Sequence, residues 1–119
     1  MRVLVVDDSP LVRNMVKKAC LGSAFEVVGE ARNGEEAVAL YRELLPDIVT
    51  LDVTMPVKDG LSAAKEILAF DPHARILLLS AMGDEELLAE ARTLGIMSSL
   101  QKPFTPQALL SALQDLSRG

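Results

Sequence analysis

Five short, largely apolar runs punctuate the chain, at residues 3–6, 25–29, 48–52, 75–80 and 96–100. Their length and apolar content predict strands, the first buried and the third buried on both faces. The fifth is the weakest, diluted by Ser98 and Ser99. Between the runs, apolar residues recur at helical spacing. Val12, Met15, Val16, Ala19 and Cys20 form one such stripe, which leaves Arg13, Asn14, Lys17 and Lys18 expected on the exposed side. Ala37, Leu40, Tyr41 and Leu44 form the second stripe, and Leu61, Ala64, Ile67 and Leu68 the third. Leu87, Leu88, Ala91 and Leu94 form the fourth, and Leu109, Ala112, Leu113 and Leu116 the last.

The punctuation agrees with the stripes. Ser9-Pro10 reads as an N-cap followed by proline at the first helical position. Asn33 with Glu36 three residues on is a variant capping box. Gly22, Pro46, Asp71-Pro72 and Gly95 stop the first four helices in turn. Asp84-Glu85-Glu86 places acidic groups in a first helical turn, where the macrodipole favours them. Strands that alternate five times with helices predict an α/β domain, a parallel sheet covered on both faces. In such sheets ligands bind outside the carboxyl ends of the strands.

Composition narrows the class. The 119 residues are half hydrophobic and 24% charged, which fits one globular domain over 1–119. A net charge of −5, four aromatic residues and no tryptophan make nucleic acid a poor partner. The lone Cys20 on an apolar helical face reads as a buried thiol in a reducing, cytoplasmic setting. The apolar run after Met1 is too short for a signal peptide, and no run reaches membrane-spanning length.

The candidate chemistry lies in the residues that end the apolar runs. The first run ends at Asp7-Asp8, the third at Asp52, the fourth at Ser80 and the fifth at Gln101-Lys102-Pro103. After Asp52, Met55-Pro56 and Asp59-Gly60 force a loop. Singly, each polar residue has an ordinary use as a cap or a solvated strand end. In a parallel sheet, however, all carboxyl ends share one edge. Three carboxylates, a hydroxyl and an ammonium then converge there. Clustered carboxylates repel one another and favour a hard divalent cation; Mg²⁺ takes one or two carboxylates and gains phosphate oxygens. A carboxylate can also be a nucleophile that forms an aspartyl-phosphate. The lysine and serine would then hold phosphoryl oxygens, the positioning and charge stabilisation that phosphoryl transfer needs.

These residues resemble the receiver domain of bacterial two-component response regulators. The resemblance spans essentially the whole chain and rests on residues 5–9, 47–56, Asp59-Gly60, Ser80-Ala81 and 102–104. It implies a doubly wound, flavodoxin-like sheet of strand order 2-1-3-4-5 with five helices. It implies Asp52 as phosphoacceptor, fed by the phosphohistidine of a histidine kinase or a histidine phosphotransfer protein. Asp7, Asp8, Asp52 and the main-chain carbonyl of Thr54 would hold Mg²⁺. Lys102 would pair with Asp52, Ser80 would reach the phosphoryl oxygen, and the Lys102–Pro103 peptide would be cis. The stretch 80–83 and Thr54 resemble the stand-alone chemotaxis type.

Two departures stand out. Receivers usually carry an aromatic residue three before the lysine, and Ser99 stands there; Ile96 replaces the usual alanine after Gly95. The relay to an output partner is therefore altered. The resemblance to receivers implies that the residues two past Asp52 and two past Ser80 flank the path of an attacking water. They are Thr54 and Met82, and Met82 is expected to cover the phosphoryl group. A receiver trimmed from a longer regulator fits the sequence as well as a stand-alone one. A Mg²⁺-dependent phosphatase of haloacid dehalogenase type shares the strand-end Asp nucleophile, but Thr54 stands where it needs a second Asp.

Overall fold

A computed structural model describes residues 1–118. In chain order the elements are β1 (Arg2–Val6), α1 (Pro10–Cys20), β2 (Glu26–Ala31), α2 (Gly34–Leu44) and β3 (Ile48–Asp52), then α3 (Gly60–Phe70), β4 (Ile76–Ser80), α4 (Glu85–Thr93), β5 (Ser99–Gln101) and α5 (Pro106–Arg118). The strands form one sheet of order β2-β1-β3-β4-β5, and every pairing is parallel. Alternation within the strands splits the core in two. Leu4, Val6, Val49, Leu51, Ile76 and Leu78 face α2, α3 and α4. Val3, Val5, Ile48, Leu77 and Leu79 face α1 and α5. β1, β3 and β4 lie inside the sheet and are buried along nearly their whole length, which explains their unbroken apolar sequence.

The predicted caps form. Ser9 Oγ accepts from Val12 N, and Asn33 Oδ1 accepts from Glu36 N at 2.9 Å. Glu36 reaches back one residue further than a capping box requires, to the amide of Arg32 at 2.9 Å. Asp59 caps α3 through Ser62 N, and Thr105 caps α5 through Ala108 N.

Four strands depart from the pattern-based bounds: β1 starts one residue early at Arg2 and β4 one residue late at Ile76, while β2 and β5 differ more. β2 starts at Glu26, one residue late, and runs on to Ala31 with a register shift opposite Val3 and Leu4. Gly29 sits inside it as a close-approach position, since a Cβ there would fall 2.7 Å from Leu44 Cδ1. β5 is only three residues long. The chain before it is spent on ending α4: Gly95 N bonds Arg92 O and Ile96 N bonds Ala91 O, with Gly95 at φ +90°. That is a Schellman motif, and it takes Ile96 into the core between α4 and the sheet instead of into β5.

Val57 adopts φ +68° although it is β-branched, in a turn closed by Lys58 N to Pro56 O. Its side chain is exposed and packs on little. Val57→Asn is expected to stabilise the protein by about 1 kcal/mol, because Asn tolerates the left-handed region. Thermal melting of the two proteins checks this; an unchanged or lower melting temperature contradicts it.

Candidate functional site

The sheet register assembles the site. Val6 lies opposite Leu51, so the next residues, Asp7 and Asp52, emerge side by side at the carboxyl edge. Asp8 follows in the turn to α1. One carboxylate oxygen from each of Asp7, Asp8 and Asp52 lies within 4.8 Å of the others. Asp7 is fully buried, Asp52 is 6% exposed, and Asp8 faces solvent. Asp7 Oδ1 accepts from Ser9 N at 2.9 Å, which ties the acid to the start of α1. Asp52 receives a longer bond from Thr54 N, 3.4 Å, in the exposed loop beyond β3. Gly60, at the start of α3, packs against the Asp52 main chain and donates its amide to Val53 O at 2.9 Å.

Lys102 enters from the end of β5. Its amide bonds Ser80 O at 2.7 Å, and the Lys102–Pro103 peptide is cis as expected. The ammonium lies 2.7 Å from Asp7 Oδ2 and 3.4 Å from Asp52 Oδ1. The expected pairing with Asp52 is thus the longer of two, and Asp7 is the nearer partner. Ser80 closes β4 beside these groups and is buried.

The electrostatics follow from burial and crowding. Desolvation first, and then the charge of Asp7, push the Asp52 carboxyl up to about 7, against the smaller opposing pull of Lys102. Burial alone would lower the Lys102 ammonium, but its bonds and charge contacts with Asp7 and Asp52 outweigh burial and raise it. The site therefore holds more negative charge than one lysine offsets. Asp7 Oδ2 has the lysine ion pair but no partner in hydrogen-bond geometry. A buried carboxylate oxygen in that condition, beside two more carboxylates, suits a hard cation with oxygen ligands.

Two side chains lie where the sequence did not place them. Met82 is 84% exposed and does not cover Asp52. Asp84 N bonds Ala81 O, Asp84 Oδ2 accepts from Ala81 N, and Gly83 sits at φ +99°; this tight turn carries Met82 outward. Arg13, expected to be exposed, has only 12% of its side chain accessible. It donates from Nη1 to the Asp7 carbonyl at 2.7 Å and from Nε to Glu30 Oε1 at 3.1 Å. Ser99 is exposed on the edge strand, so no ring packs there.

Residues 3–114 match the family model of the response regulator receiver domain. The chain belongs to that family. Like other receivers it is a phosphorelay signalling switch built on a five-stranded 2-1-3-4-5 sheet with five helices. The chemotaxis protein CheY of Thermotoga maritima is 46% identical over 117 residues, which cover 98% of each chain. CheY of Bacillus subtilis is 44% identical over 112 residues, covering 94% of this receiver and 93% of that protein. Among solved structures, a CheX–CheY–BeF₃–Mg²⁺ complex from Borrelia burgdorferi superposes with a TM-score of 0.91 at 33% identity, covering 98% of this receiver and 88% of that chain. None of the described helices is long and apolar enough to cross a membrane.

Proposed function

We propose that this receiver, a single domain over residues 1–119, takes a phosphoryl group from a partner's phosphohistidine onto Asp52. The partner is a histidine kinase or a histidine phosphotransfer protein. The observation that carries the reading is the convergence of Asp7, Asp8 and Asp52 within 4.8 Å, with Lys102 reaching two of them. Asp52 ends the central strand and is held from below by Gly60 and from the side by Thr54 N, so its outer oxygen meets a donor in one orientation. Lys102 and Ser80, joined through the Lys102 N to Ser80 O bond, take the phosphoryl oxygens from the β4–β5 side. Asp7, Asp8, Asp52 and the Thr54 carbonyl would hold Mg²⁺, which when bound supplies positive charge to the phosphoryl oxygens. The reaction is on the protein itself, so it is a phosphoacceptor and not a turnover enzyme.

The likeness to CheY proteins supports an output in chemotaxis-type signalling, which we assign to the cytoplasm and to a protein partner, with no direct nucleic-acid contact. The partner-facing relay differs from the usual one because Ser99 offers no ring to turn inward.

Mg²⁺ is expected to raise the melting temperature by binding only the folded state. Asp8→Ala should remove most of that rise, since the exposed carboxylate is the one with least structural work besides the metal. Melting curves with and without Mg²⁺ decide: an undiminished shift in Asp8→Ala contradicts the ligand set.

A further inference from the structure

We infer that Arg13 is a positioning residue for the acidic cluster: through the Asp7 carbonyl it fixes the Asp7–Asp8 peptide in the orientation that cation binding needs. The inference rests on the proposed Mg²⁺ role of Asp7 and Asp8. It starts from where the β1 ladder stops. Strand pairing ends at Val6 with Ala31 and Leu51. Asp7 N still finds Ala31 O at 3.1 Å, but the Asp7 carbonyl lies beyond the last paired residue. The Arg13 guanidinium closes it at 2.7 Å. The peptide so held is the link between the buried carboxylate of Asp7 and the exposed one of Asp8.

The guanidinium is itself held. Glu30, at the end of β2, accepts from Arg13 Nε at 3.1 Å and from Lys17 at 2.9 Å. The Lys17 hydrogen bond first, and Arg13 after it, hold the Glu30 carboxyl below the usual range, so Glu30 stays ionised. Arg13 thus spans β2 and the β1–α1 turn with two bonds from one planar fork. A lysine cannot reproduce that, because its ammonium is a point charge with no fixed fork. Asn14 and Lys18 on the same helix are exposed and serve as a contrast.

Charge and position act in opposite directions here. As a mere cation, Arg13 would repel a metal, and removing it would tighten Mg²⁺ binding. As an orienting group it acts like the outer partners of other metal sites, whose loss weakens affinity 10–100-fold. Mg²⁺ accepts little departure from octahedral geometry, which makes ligand orientation decisive. Glu30 beside Arg13 offsets its charge, so position prevails.

The test is calorimetric titration of Mg²⁺ into the wild-type protein, Arg13→Met and Arg13→Lys, well below the melting transition. Both variants are expected to bind Mg²⁺ on the order of 10–100-fold more weakly, with a cooperative metal-free melting curve retained. Tighter binding in Arg13→Met, or wild-type affinity in Arg13→Lys, overturns the inference; should Arg13→Met not fold, Arg13→Lys decides alone. A wild-type protein without Mg²⁺ affinity would overturn the metal reading, and this inference with it, and is told apart by needing no variant.

Discussion

Asp52→Asn is expected to melt at a higher temperature than the wild type when both are metal-free at pH 8, and to accept no phosphoryl group. Asp52 is buried beside Asp7, and its carboxyl is raised from 3.8 to about 7. A group whose pKa is higher folded than unfolded binds more protons in the folded state between those values. Stability then falls as pH rises from about 4 to about 7, and the penalty is complete above that. Each unit is worth about 1.4 kcal/mol, so even half of the rise puts roughly 2 kcal/mol of strain on the metal-free site. The amide carries no charge to desolvate, and it gives up only the longer of the two Lys102 pairs. Melting temperature against pH should slope downward from 4 to 7 in the wild type and lose that component in Asp52→Asn. Parallel profiles would mean that Asp52 is not the strained group.

Gly60→Ala should do the reverse, damaging both stability and chemistry. A Cβ at Gly60 would sit far inside contact distance of the Asp52 carbonyl oxygen and 2.8 Å from Val53 Cα. Both neighbours are backbone of the central strand's end and cannot rotate aside. Overpacking of this kind costs about 1–3 kcal/mol, occasionally more. The shift falls on Asp52, the proposed acceptor, so phosphorylation from acetyl phosphate should slow by at least about tenfold, a barrier increase of about 1.4 kcal/mol. Gly22→Ala is the control: its Cβ meets nothing within 4 Å, and only its φ of +73° resists substitution. A Gly60→Ala protein as stable and as quickly phosphorylated as Gly22→Ala would contradict the close packing.

The parts of the site that were legible in the sequence share a cause. Asp7, Asp52, Ser80 and Lys102 each end an apolar run, and a parallel sheet brings run ends to one edge whatever its details. Strand order was different: alternation of strands and helices permits several orders, and 2-1-3-4-5 came from family resemblance. Arg13 was not legible. Its partners are the Asp7 carbonyl and Glu30, the latter 17 residues away, and no periodicity encodes a main-chain acceptor. Helical spacing placed it on the solvent side, and its length let it reach back over the β1–α1 turn. Met82 failed for a related reason. Its side-chain direction depends on a turn closed by Asp84 and opened by Gly83, not on its offset from Ser80. The residues around Ile96 read as strand because they are apolar, but the glycine before them ends a helix and commits Ile96 to the core.

The central claim is that Asp52 is the acceptor. It is tested most directly by phosphorylating the wild-type protein with acetyl phosphate and Mg²⁺, reducing it with labelled borohydride, and mapping the label by peptide mass spectrometry. An aspartyl-phosphate is reduced to homoserine, so the account predicts labelled homoserine at position 52 alone, with none when Mg²⁺ is chelated. Label at Asp7, Asp8 or any other residue, or equal labelling without Mg²⁺, would contradict it.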